Sequence, residues 1–154
     1  MIASSIVGFI WVVIAGSLSD HVGRKRMFMI GCLFMAIFGF IYFPLLNTMN
    51  PVIIFITITA SSLPVMTLYG PEAALIAESF TPRLRYSGTS LGYQLASIIA
   101  GGPSPFIATW LLATYHSPLP IAFYIMLCAV VGTIATALLT DYTNRDISAE
   151  YVGV

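Results

Sequence analysis

Charge is what this sequence lacks. Lysine and arginine supply six of its 154 residues and aspartate and glutamate another six, so 8% of the chain is charged and the net charge is zero. A water-soluble domain usually carries about 25% charged residues. With so few, this chain does not have the means to cover a surface that faces water. The zero balance also excludes a basic face for nucleic acid, which is held through clustered lysine and arginine. Cysteine is scarce too. Cys32 and Cys128 each lie in an apolar run, with no metal-ligand spacing and no disulfide framework around them. They read as small apolar fillers, and neither a metal nor a cofactor is expected. No basic segment precedes the first apolar run, so that run is expected to stay in the protein rather than to be cleaved as a leader.

What the chain has is apolar length: 58% hydrophobic residues and a mean hydropathy of +0.94. A helix needs about 20 mainly apolar residues to cross about 30 Å of hydrocarbon. With charges taken as breaks, the sequence predicts five spans, at about residues 1–19, 27–46, 52–77, 86–113 and 119–140, then a polar tail, 141–154. Apolar runs of this length lack the in–out alternation of barrel strands. The class is therefore all-α transmembrane.

The expected links, 20–26, 47–51, 78–85 and 114–118, are short and make neighbouring spans antiparallel. Alternation then places Arg24, Lys25, Arg26, Arg83, Arg85 and Arg145 on one membrane face. Cationic short links mark the cytoplasmic side, so the C-terminus is expected in the cytoplasm. Tyr42, Phe43, Trp110 and Tyr115 fall near the opposite face, where an aromatic belt belongs.

Half of the cations crowd into one stretch, GSLSDHVGRKR, residues 16–26. Gly16 permits close approach of another helix, and Gly23 permits a tight turn between two antiparallel helices. Asp20 offers a negative charge to a helix N-terminus or an arginine. Arg24, Lys25 and Arg26 reach carboxylates on neighbouring helix ends or anionic lipid. The pattern resembles the G-x-x-x-D-R-x-G-R-R/K loop of the major facilitator superfamily of transporters, with His21 where arginine is usual. A second stretch, AESFTPRLRYSGTSLGYQLAS, residues 77–97, resembles the metabolite–proton symporter branch, which includes permeases for α-ketoglutarate, shikimate and proline or betaine.

The resemblance covers residues 16–139. It implies a five-helix portion, about helices eight to twelve, of the C-terminal half of a twelve-helix major facilitator fold in a bacterial inner membrane. It also implies that Glu78, with Arg83 and Arg85 nearby, is the acid that the basic residues of the knot engage, so an Arg24 to Glu78 pair is expected as a gating latch.

The third span carries Pro64 and Pro71, which lack an N–H and should free the carbonyls of Ala60 and Thr67. The bland reading is a kink that shapes the bundle. The sharper one is a cavity-lining helix, since broken helices line transporter cavities. Glu72 is the ionisable residue well inside a predicted span. A carboxylate there is costly unless it is paired, hydrated or protonated. It is the candidate for proton or substrate handling, with Tyr69 on the same helical face. On the fourth span Gly88, Gly92, Ala96 and Ala100 form a small-residue stripe suited to helix packing. Tyr93 and Gln94 project from its other faces, and GGPSP, residues 101–105, should interrupt it.

Catalysis is not expected. His21 and His116 fall in links, the spans contain no aspartate, and Ser104 has no base beside it. The expected function is alternating-access symport of a small organic anion or zwitterion with a proton. The bilayer and the missing N-terminal helices would be its partners. A stand-alone membrane scaffold or a non-functional remnant is the other reading, because five spans do not make two halves.

Overall fold

The computed structural model describes residues 2–140. The predicted tail and Arg145 lie outside the described residues. Helix α1, Ile2–Val22, and helix α2, Arg24–Leu46, are separated by Gly23 alone. Gly23 takes φ 105° and ψ 127°, a conformation in which a Cβ is strained. The expected link at 20–26 is thus a single residue. Charge ends the hydrocarbon, not the helix: Gly23 N–H donates to the Ser19 carbonyl at 3.0 Å and Met27 N–H to the Gly23 carbonyl at 2.9 Å. Asp20 and the basic run consequently sit on helical ends that emerge into the interface.

Helix α3, Pro51–Ala60, starts where the Asn50 side chain accepts the Val52 N–H at 3.0 Å, with proline in the first turn. It gives way at Ser61 to α4, Ser62–Glu78. The break falls beside the carbonyl that Pro64 leaves without a donor. Hydroxyls serve the carbonyls just upstream: Ser61 donates to Ile58 O and Ser62 to Thr59 O, each at 2.7 Å. Pro71 does not break the span. It sits inside α4, fully buried, where neighbouring helices hold the chain through the lost hydrogen bond.

The fourth span is helix α5, Arg85–Ala96, a π-turn, Ser97–Gly101, and helix α6, Ser104–Tyr115. Helix α7, Leu119–Leu138, completes the order. Together the described residues form five helical passes long and apolar enough to cross a membrane.

Helix α1 packs along α4, and α2 packs along both α4 and α7. Small residues make this possible. A Cβ on Gly70 would lie 2.8 Å from the Gly16 backbone nitrogen and 3.1 Å from the Ala15 Cβ. One on Gly31 would lie 2.8 Å from Leu68 Cδ2. In hydrocarbon, such backbone approach supplies the packing that the hydrophobic effect does not. Trp11 Nε1 donates across the α1–α4 seam to the Thr67 hydroxyl at 2.8 Å. Phe40 on α2 meets Phe123 on α7 edge to face, with ring centroids 5.2 Å apart. Helix α2 is therefore the hub of this bundle, with an outward strip of exposed Ile30, Leu33, Ile37 and Ile41 left for lipid.

The fourth span is the outlier. Helix α5 has no buried residue. Within the small-residue stripe only Gly88 is closely engaged, against the Phe80 ring, while Gly92 has no heavy atom within 4 Å of an added Cβ. Helix-on-helix packing along the stripe is not seen among the described residues.

Candidate functional site

Two constellations bring together the residues singled out above. The first is the charged knot. Arg24, at the start of α2, donates through Nη2 and Nε to one Asp20 oxygen at 2.8 and 3.2 Å. Its other terminal nitrogen, Nη1, pairs with Glu78 at the end of α4. Asp20 is half exposed, whereas the Glu78 side chain is 6% exposed. A carboxylate that buried is costly unless its charge is met, and Arg24 is one group that meets it. Gly16 lies within the same α1–α4 contact, its position for a Cβ 3.7 Å from the Gly70 carbonyl oxygen.

Lys25 points elsewhere. Its ammonium donates to the carbonyls of Ala137 and Leu139 at 2.7 and 2.6 Å, capping the C-terminal end of α7. A cation there satisfies carbonyls that have no helical donor and opposes the negative end of the helix dipole. Arg26 is exposed. Arg83 lies in the link between α4 and α5, and Arg85 opens α5. His21 turns back to the Ser17 carbonyl at 3.0 Å.

The second constellation is a cavity of about 300 Å³ between α4 and the fourth span. Tyr69 and Glu72 line it from α4, and Tyr93, Ala96, Ser97 and Ala100 from the other side. Tyr93 thus faces Tyr69 and Glu72 across this space. Two of the four stripe residues, Ala96 and Ala100, thus wall a cavity rather than a helix contact, and their small side chains leave it room. Gln94 is exposed and lies outside this lining. Among the described residues no group of three metal-ligating side chains converges.

Sequence reasoning missed Lys25 as a helix cap, because the cap's carbonyls belong to α7, far along the chain. It missed Ser97 as a cavity residue and Trp11 with Thr67 as a cross-helix pair. An indole in an apolar span was the available signal, since its N–H needs an acceptor.

A cavity that holds one carboxylate and two phenols, and a separate arginine–carboxylate knot, thus lie within a bundle of membrane-length helices. The family model for sugar (and other) transporters matches residues 1–146. The chain belongs to this family of major facilitator transporters. It is 32% identical over 147 residues to the inner membrane metabolite transport protein YhjE of Escherichia coli K12, covering 94% of this chain and 33% of that protein. It is 29% identical over 129 residues to the shikimate transporter of the same strain, covering 80% of this chain and 29% of that protein. The chain thus spans about a third of the length of the curated relatives it matches. No solved structure matches the chain significantly. Family and these relatives are transporters, so the chain is an integral membrane member of a transporter family and not an enzyme.

Proposed function

We propose that this major facilitator chain supplies five helices of the C-terminal half of a proton-coupled symporter for a small organic anion or zwitterion. Its branch is that of the metabolite–proton symporters, in a bacterial inner membrane, with the charged knot and the C-terminus on the cytoplasmic side. The observation that carries the reading is the convergence of Glu72, Tyr69 and Tyr93 on one cavity of about 300 Å³. A carboxylate at membrane depth, open to a small cavity and flanked by two phenols, is placed to exchange a proton and to meet a polar substrate group. Names of relatives that handle metabolites and shikimate support the substrate class.

The knot serves as the latch of an alternating-access cycle. Arg24 holds the end of α4 to the α1–α2 junction, and release of Glu78 frees the cytoplasmic end of the cavity-lining helix. The test is uptake of radiolabelled dicarboxylates and betaines into vesicles carrying the completed transporter, with and without a proton gradient. Glu72→Gln is expected to abolish gradient-driven accumulation while counterflow exchange persists. Accumulation that survives this substitution unchanged would remove Glu72 from the proton path.

A further inference from the structure

The fourth span contains a device that the latch and the carboxylate do not use. At Ser97–Gly101 the helix widens into a π-turn, closed by the Gly102 N–H on the Ser97 carbonyl at 3.1 Å. Such turns gather at functional sites, where an extra residue shifts the register of a helix. Pro103 and Pro105 follow, and neither has an N–H to continue the ladder. Gly102 has no room for a side chain, since a Cβ there would lie 2.7 Å from the Ile98 carbonyl oxygen. The Ser104 hydroxyl donates to the Ala100 carbonyl at 2.6 Å and stands 3.4 Å from the Tyr124 hydroxyl on α7.

Space lies on both sides of this turn. Ala100 and Gly101 wall the Glu72 cavity and also a second, apolar cavity of about 590 Å³ bounded by α2 and α7. The turn is therefore a partition between two cavities and is not wedged in a packed core.

We infer that Ser104 is a positioning residue that holds this partition in place, anchored on α7 by Tyr124, so that α5 pivots against α6 and sets the width of the Glu72 cavity. The inference rests on reading that cavity as the transport site and adds the residue that governs its opening. The chemistry is that of a carbonyl at membrane depth. With the hydroxyl present, the Ala100 oxygen has a donor on its own helix. Without it, the oxygen must find water, and the polar side of the partition is where water is available. The turn then loosens and the Glu72 cavity widens.

The test uses the full 154-residue chain in lipid nanodiscs. Cys32→Ala and Cys128→Ala remove the native thiols, and Ser97→Cys places a single thiol in the Glu72 cavity. The readout is its rate of reaction with a charged, membrane-impermeant methanethiosulfonate. Ser104→Ala is expected to raise that rate about fivefold, the factor carried by one net hydrogen bond. Tyr124→Phe should raise it less, and Ser104→Thr, which keeps the hydroxyl, should leave it at the parent value. A thiol placed instead at Thr48→Cys, in the link between α2 and α3, should react at an unchanged rate in every variant. Equal rates at position 97 for Ser104→Ala and the parent would overturn the inference, as would a parallel rise at position 48. Labelling needs no transport, so a silent Glu72→Gln in the uptake assay would leave this result standing on its own.

Discussion

The α1–α4 seam and the fourth span are built from the same kinds of residue and behave as opposites. In the seam, glycine brings backbones into contact: Gly70 meets Gly16 and Ala15 with no space for a Cβ. In the fourth span, Gly92 faces open space and Ala96 and Ala100 line a cavity. Polar groups divide in the same way. Arg24 ties α2 to α1 and α4, and Lys25 ties α2 to α7, so one residue pair staples four helices at one end of the bundle. The fourth span meets α4 through α5 and α7 through α6, where the Ser104 and Tyr124 hydroxyls stand 3.4 Å apart. A small residue is therefore a packing device only where a second helix is present to use it. The stapled helices are close-packed, and the fourth span is the more exposed part.

The contrast is most exposed at Arg24. Arg24→Ala removes the cation that pairs with both Asp20 and the buried Glu78 carboxylate and is expected to cost about 3 kcal/mol, read as a lower unfolding midpoint of the chain in detergent. In the completed transporter, Arg24→Glu should impair uptake, and adding Glu78→Arg should partly restore it. A double variant no better than the single one would count against the pairing. Next in size is Gly70→Ala, which places a methyl group against the α1 backbone and should cost about 2 kcal/mol in the same unfolding assay. Lys25→Met should cost about 1 kcal/mol, with faster hydrogen exchange confined to the last turn of α7. Smallest is Gly92→Ala, expected to change stability by less than about 0.5 kcal/mol. If Gly70→Ala and Gly92→Ala proved equally costly, the division between close-packed seam and open span would fail. The two tryptophans offer a sharper version, since Trp11 lies in the seam and Trp110 in α6. Iodide should quench the indole at 110 more readily than the one at 11 in the intact chain.

Much of this was legible in the residues. Five apolar runs became five passes, with ends shifted by a few residues because helices continue into the interface past the last apolar residue. Gly23 announced its turn, and GGPSP announced an interruption in the fourth span. The π-turn ahead of that interruption was not legible, since no residue type requires one. Pro71 was misleading in isolation: a proline breaks a solitary helix, but one fully buried inside α4 is carried through. The small-residue stripe was legible as a pattern, but a pattern records what a helix permits and not what lies beside it.

Solvent preference and the placement of charge along the chain were settled by the sequence alone. Whether a run of about 20 residues belongs in hydrocarbon depends on that run and not on its neighbours. Partnership was decided only in three dimensions. That Gly70 faces Gly16, that Lys25 caps α7 and that Tyr69, Glu72 and Tyr93 share a cavity all depend on how each helix is rotated about its axis. The 3.6-residue period fixes which side chains share a face, and leaves to the packed bundle the choice of what that face meets.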